Sequence, residues 1–423
     1  MARSAAADFE KPVPWWKEPT KDQWLAWWGA WLGRVLDGFD FTLLLLIMVP
    51  ISREFGVPLI AVTVVFTVTL WLRSVNGIAS GWLADRIGRK RPLMASILWY
   101  SLASFISGVS PSFVVLAVSR ALLGVGMGAE WVAGTTLVAE IWPARSRGLA
   151  VGLLQGSWAI GFLLSSAAYG MLFNTIGWRG LLWLGILPVL AAAFVRRYVK
   201  EPEIWAENRR RQRDEHREVR APLFSIFKRG LIGTTVSACW CIASAFVAFD
   251  TISRLIAAHP RKDVDLLALL AAPPVATAVG LGAMLVSGGW GIVSDKFGRR
   301  AAMIVPALVG ILGASLYLFG ADTFWVAAGF VVVSVCAGDG IQGQMLTYLA
   351  ERFPTEVRAT AIAVCFTQGG MWQVLTRVPV HYESGSTIPM MAGAIVGTAS
   401  LALALALGPE TKGKVLVPDL AIV

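Results

Sequence analysis

Arg34, Asp37 and Asp40 stand inside one long apolar run of this 423-residue chain, Arg73 inside a second, and Arg120 and Glu130 inside a third. An ionisable group within hydrocarbon costs about 2.5–3.5 kcal/mol on insertion scales, so each needs a partner or a task. The spacing of three along Arg34, Asp37 and Asp40 places them on one stripe of a helix. At about 1.5 Å of rise per residue, that stripe falls near the middle of a bilayer. A buried carboxylate beside an arginine ionises readily, whereas one left without it is driven by desolvation toward the neutral acid. Asp37, Asp40 and Glu130 are therefore candidate proton carriers, able to hold a proton in one state and release it in another. The competing reading makes Asp37 with Arg73, and Arg120 with Glu130, fixed ion pairs that orient helices. His216, His259 and His381 fall outside or at the edge of the apolar runs, so carboxylates must carry any proton exchange.

The elements that must position these residues follow from composition. With 56% hydrophobic and only 15% charged residues, the chain is an integral membrane protein. Crossing a core about 30 Å thick takes roughly 20 apolar residues per helix. Such segments fall near 24–50, 60–82, 92–109, 112–137, 149–171, 180–196, 229–253, 265–289, 301–319, 323–348, 360–380 and 388–408. This predicts an all-α fold of twelve transmembrane helices in two six-helix bundles, with residues 1–22 a tail, 23–196 the first bundle, 197–228 a linker, 229–408 the second bundle and 409–423 a second tail.

The net charge of +10 is not a nucleic-acid signal, because the basic residues sit in short loops between apolar runs, where they orient helices. Both tails are expected in the cytoplasm of a plasma-membrane protein, the bacterial inner membrane being the expected site. The loop from Arg254 to Lys262 is an exception, basic on the outward side. The first residues, rich in acidic, Pro and Trp positions, lack the apolar core of a secretory signal. Trp24, Trp27, Trp28 and Trp31 read as a headgroup belt rather than a binding platform. Cys239, Cys241, Cys336 and Cys365 have no metal-ligand spacing and read as helix packing. No nucleophile–base pair or metal cluster stands within the spans, so catalysis is not expected. Pro188, Pro273, Pro274 and Pro306 are expected to kink their helices.

One basic turn occurs twice, as GWLADRIGRKR from Gly81 to Arg91 and as GIVSDKFGRR from Gly291 to Arg300, at an offset of about half the chain. AEIWPARSRG (Ala139 to Gly148) recurs as AERFPTEVRA (Ala350 to Ala359) at nearly the same offset. Parallel repeats of this kind in a membrane protein point to a transporter. In the repeated loop Gly88 and Gly298 permit a tight turn, the basic cluster of Arg86, Arg89 and Arg299 anchors it, and Asp85 or Asp295 can bind cations or the N-terminus of a neighbouring helix. A charge cluster joining the bundles there would form a gate, with Gly81 and Gly291 at its head.

These residues resemble the major facilitator superfamily over essentially the whole chain. Gly81, Asp85, Arg86, Gly88, Arg89 and Lys90 match its loop signature, and Arg120 with Gly124, Gly126 and Gly128 looks like its fourth-helix motif. LDGFDF (Leu36 to Phe41), LLGVGMGAEW (Leu122 to Trp131), AEIWPARSRG and GWRGLLWLGILP (Gly177 to Pro188) look most like the sialate/proton symporter group, which includes lactate and pyruvate carriers. The resemblance implies proton-coupled uptake of a small organic anion, with the proton as coupling ion, no other cofactor, and a monomer in the lipid bilayer. The short, charged linker leaves no room for the two extra central helices of the bacterial sialic-acid symporter, which favours a small monocarboxylate. Elements like EIWPARSRG also resemble sugar porters, leaving a sugar or aromatic acid as the alternative, and a non-transporting sensor as a further one. Arg73 or Arg120 would alternate between a proton-carrying Asp and the substrate's carboxylate, with Asp339, Gln342 and Gln368 lining the cavity from the second half.

Overall fold

A backbone in hydrocarbon must satisfy every N–H and C=O internally, so long apolar segments have helix as their outlet. In the computed structural model, which describes residues 14–216, 222–258, 273–319, 323–332, 340–375, 387–414 and 416, all regular structure is helical. The first half comprises α1 (Lys21–Phe55), α2 (Leu59–Ile87), α3 (Lys90–Gly108), α4 (Phe113–Ile141), α5 (Arg147–Trp183) and α6 (Pro188–Tyr198). α7 (Glu203–Asp214) and α8 (Pro222–Ser225) lie between the halves. The second half comprises α9 (Ile232–Ala258), α10 (Pro273–Phe297), α11 (Ala301–Phe319), α12 (Thr323–Val332), α13 (Ile341–Arg352), α14 (Arg358–Leu375) and α15 (Thr387–Leu407). Large apolar side chains face outward on these helices, among them Ile60, Val114, Met171 and Leu190, as expected of surfaces solvated by lipid.

Local chemistry sets several boundaries. α1 outruns its apolar core at both ends because Thr20 and Gln23 form a capping box and Gly56, at φ 62°, closes the other end. The fifth span continues to Gly177, whose φ of 64° breaks the helix and starts the sixth. The sixth is interrupted again by a 3₁₀ turn, Leu184–Ile186, just before Pro188. Pro306 sits within α11, whereas Pro273 and Pro274 open α10, where a missing N–H costs nothing. Arg254 to Ala258, expected in the outward loop, form the end of α9, and the rest of that loop lies outside the described residues.

α1 packs against α4, α5 and α6, and α4 lies against both α2 and α3. α9 packs against α14 and α15, and α11 against α12. Two seams join the halves, α5 against α10 and α2 against α14. Small residues let the backbones approach: Ser287 donates its hydroxyl to the Gly152 carbonyl at 2.8 Å across the first seam. A Cβ on Gly81 would stand 2.6 Å from the Ala359 carbonyl across the second, and one on Gly291 2.5 Å from the Gly148 carbonyl across the first.

The fourth-helix glycines have the same origin. Gly124 and Gly128, one turn apart, face α2, and a Cβ on Gly128 would lie 2.6 Å from the Arg73 carbonyl. Gly126 faces Tyr100 of α3. Gly128→Val is therefore expected to push α2 aside and to destabilise the protein by about 1–3 kcal/mol or more. Thermal unfolding in detergent checks this; an unchanged midpoint would contradict the packing argument.

One expectation needs correction. Trp27 is 4% exposed and donates its indole N–H to the Ala150 carbonyl at 3.0 Å, in an aromatic cluster with Trp24 and Trp142. It shares the inner stripe with Ala30 and Arg34, so only part of the tryptophan set, Trp28 above all, meets the surroundings. In the linker, α7 docks on both halves: Trp205 donates to the Asp85 carbonyl at 3.1 Å and Gln212 to Glu356 at 2.6 Å.

Candidate functional site

Between the halves lies a cavity of about 360 Å³. Among the described residues, Arg34 of α1 and Arg73 of α2 are the charged ones that line it. Its aromatic walls come from both halves: Trp131 and Trp158 from the first, Phe246 and Phe366 from the second. The Arg34 and Arg73 guanidinium carbons lie 5.1 and 4.8 Å from the Trp158 ring centroid, held by cation–π attraction. A polar bridge crosses the cavity, Arg34 donating to Gln155 at 2.9 Å and Gln155 donating to Gln342 of α13 at 3.1 Å.

Behind the arginines stand two fully buried carboxylates. Arg73 donates to Asp37 at 2.8 Å, and Arg34 lies 3.7 Å from Asp37 and 3.8 Å from Glu130. Four charges thus form one balanced cluster whose cationic members face the cavity. A second cluster lies apart from it: Arg120 pairs with Asp40 at 3.0 Å, and Ser104 donates to the same carboxylate.

This corrects three placements. Arg120 cannot meet Glu130, because ten residues of one helix separate them by about 15 Å of rise. Arg120 is 1% exposed and does not line the cavity; neither does Asp40. Gln368 donates to the Cys239 and Cys365 carbonyls at 2.9 and 2.7 Å, since Phe366, Thr367 and Gly370 mark the cavity-facing stripe and residue 368 lies round the helix from it. Gln342 does reach the cavity. Asp339, Arg377 and His381 lie outside the described residues.

The repeated loops meet at one end of the seams. Asp85 accepts the N–H groups of Ala359 and Thr360 at 3.1 and 2.8 Å and the Thr360 hydroxyl at 2.6 Å, capping α14. Asp295 accepts the N–H groups of Gly148 and Leu149, both at 2.9 Å, capping α5. Each carboxylate therefore meets the positive end of a helix in the opposite half. Arginines add a second tie. Glu140 receives Arg89 of its own half at 2.8 Å and Arg358 of the other at 2.6 Å. Glu351 receives Arg299 at 2.8 Å and Arg147 of the other half at 3.1 Å.

Gly88 and Gly298, at φ 102° and 111°, make the turns that only glycine adopts readily, which leaves the following N–H groups free to bond a carboxylate. Arg89 and Lys90 donate to Glu201, and Arg299 and Arg300 to Glu410. Burial pushes Glu201 above the usual carboxylate range. Burial also raises Glu410, but the backbone N–H groups of Arg299, Lys412, Arg300 and Thr411 outweigh it and hold the group low. Arg86 is not part of this cluster: it is exposed and stacks over Trp82 at 4.9 Å.

The sequence pattern of the Major Facilitator Superfamily matches residues 30–377. The chain belongs to the major facilitator superfamily. It is a multi-pass membrane transporter and not an enzyme. A probable 4-methylmuconolactone transporter of Cupriavidus pinatubonensis is 28% identical over 94% of this chain and 93% of its own length. The sialic acid transporter NanX of Escherichia coli is 27% identical over 88% and 90%. The solved structure of the proton:xylose symporter XylE is 20% identical, covers 93% of this chain and 98% of its own, and shares the fold with a TM-score of 0.73.

The contacts of the end cluster cross the two seams, the arrangement that the gate, or latch, expected of the repeated loops requires. Asp85→Asn keeps the shape but removes the charge that caps α14, and is expected to lower turnover several-fold, about 1 kcal/mol in barrier, with substrate affinity nearly unchanged. Uptake kinetics decide; a large loss of affinity at normal turnover would contradict the latch. Sequence reasoning missed Arg147 and Arg358, although both stand in the repeated AEIWPARSRG-like element, and the paired Glu140 and Glu351 were the available signal. Gln155 and Trp158 carried no signal, being one polar and one aromatic residue in an apolar span.

Proposed function

We propose that the chain imports an organic carboxylate together with a proton, rocking its two bundles about the central cavity. Charge balance carries this reading. Arg34 and Arg73 face the cavity, and Asp37 and Glu130 neutralise them from behind. A bound carboxylate leaves this buried cluster one negative charge in excess, which a low-dielectric site tolerates poorly. A proton taken up by Asp37 or Glu130 restores the balance. Substrate and proton then enter together, because either alone leaves an uncompensated charge. In place of Arg120, Gln155 joins Arg73 and Gln342 as a substrate contact, since a carboxylate reaching Arg34 must displace it. Asp40, with Arg120, is a carboxylate of lower rank for coupling.

One proton per monoanion makes transport electroneutral, driven only by the pH gradient at about 1.4 kcal/mol per unit. A second proton adds the membrane potential, about 2.3 kcal/mol per 100 mV. The proton is the coupling ion, without metal or organic cofactor. The protein acts as a monomer, since one chain supplies both walls of the cavity, and it resides in a bacterial inner membrane with the latch and both termini on the cytoplasmic side.

Two relatives, named for a muconolactone and for sialic acid, support an organic-acid substrate. The aromatic walls favour a second reading within that class, an unsaturated or aromatic acid whose planar body stacks where lactate would leave the rings unfilled.

Proteoliposomes of the purified protein, given labelled lactate, pyruvate, sialic acid and benzoate under an inward proton gradient, test this. One acid is expected to accumulate and to leak back when a protonophore collapses the gradient. Accumulation that ignores the protonophore would refute the coupling, and a bound acid that never accumulates would mark a sensor.

A further inference from the structure

A second cavity, of about 480 Å³, opens where α7 lies against the end of α2. Arg86 and Arg91 line it from the α2–α3 turn, and Arg209, Arg210 and Arg213 from α7. Among the described residues of its wall the carboxylate is Glu201, already engaged, accepting the Arg89 and Lys90 N–H groups at 2.8 and 3.0 Å. Arg86, Arg91 and Arg210 therefore give the described wall an excess of guanidinium charge. Planar guanidinium forks match the oxygens of a phosphate group bidentately, and several of them together suit its charge. On one side the lining turns apolar: Leu83 and Ile87, on the outer face of α2, are 37% and 38% exposed. Charged and apolar linings meet at the end of a spanning helix, as phosphate and acyl chain meet in a lipid.

We propose that this cavity binds a phosphate-bearing anion, and that the occupant is the headgroup of an anionic phospholipid whose chains run along Leu83 and Ile87. Trp205 also lines the cavity and donates to the Asp85 carbonyl, so the bound headgroup bridges α7 to the end of α2 beside the latch.

The test is native mass spectrometry of the full chain in detergent, titrated with phosphatidylglycerol, phosphatidylcholine and inorganic phosphate. Phosphatidylglycerol is expected to bind where phosphatidylcholine does not. Arg210→Gln with Arg213→Gln is expected to weaken that binding about 30-fold, the combined effect of two arginines near a charged headgroup. Arg197→Gln with Arg211→Gln removes the same charge away from the cavity and is expected to change nothing; Arg211 instead pairs with Glu207. Should the first double variant fail to fold, Arg86→Gln alone supplies the measurement, with a smaller loss expected. Displacement of the lipid by inorganic phosphate would keep the phosphate chemistry and overturn the lipid as occupant. Equal binding of the two lipids, or variants at the cavity that bind phosphatidylglycerol like the unaltered chain, would overturn the site.

Discussion

Asp37→Asn is expected to abolish accumulation of substrate against a gradient while substrate exchange across the membrane persists. Asp37 accepts from Arg73 at 2.8 Å and faces Arg34 at 3.7 Å, with its own side chain wholly buried. Asparagine cannot exchange a proton, so the variant is held in a charge state equivalent to the protonated one. Binding and reorientation with substrate remain possible, but return of the empty carrier uncouples from the proton. Removing one partner of a buried pair costs about 3–5 kcal/mol, so net uptake is expected to fall by two orders of magnitude or more. Asp40→Asn is expected to have the smaller effect on coupling, because Asp40 with Arg120 makes a closed pair away from the cavity. Counterflow and proton-driven uptake, measured on the same vesicles, separate the outcomes. Full accumulation by Asp37→Asn would sink the coupling role, and loss of exchange as well would make Asp37 a structural ion-pair partner.

Glu140→Gln carries the second large effect. Its carboxylate receives both Arg89 and Arg358, the second from the other half, and all three side chains are fully buried. The substitution removes the buried charge that ties Arg358 to the first half and leaves Arg89 only Asp85, at 3.2 Å, at a cost of about 3–5 kcal/mol to the latched state alone. A shift of that size moves a two-state equilibrium by more than about 100-fold. Spin labels at Ile87→Cys and Phe297→Cys, on exposed ends of α2 and α10, report the separation directly. The variant is expected to show the longer distance without substrate, and turnover is expected to fall more than about tenfold, since the latched state is no longer populated. An unchanged distance distribution would mean that the helix caps by Asp85 and Asp295 hold the seams unaided.

The asymmetry between these two predictions follows from how the charges are arranged. In the cavity, cations face the open space and carboxylates lie behind them, which suits a site that must admit an anion and a proton. At the latch each glutamate lies between one arginine of its own half and one of the other, which suits a contact that must form and break as a unit. Both clusters are balanced, and both use the same residue types; position relative to the seams distinguishes them.

Much of this was legible in the chain itself. Apolar length and helical stereochemistry are local properties, so the spans at 92–109 and 301–319 and the stripe of Arg34 and Asp37 follow directly from residue order. The repeat exposed Asp85 and Asp295 as a matched pair, and the need for positive φ at Gly88 and Gly298 is again local. What residue order could not decide is which groups meet. Arg120 finds Asp40 and not Glu130, Gln368 turns toward α9, and Gln155 reaches across to Gln342, because each outcome depends on how far one helix is rotated and shifted against another. That rotation is set by the packing of many small contacts, such as Gly124 and Gly128 against α2, whose sum no single stretch of sequence contains.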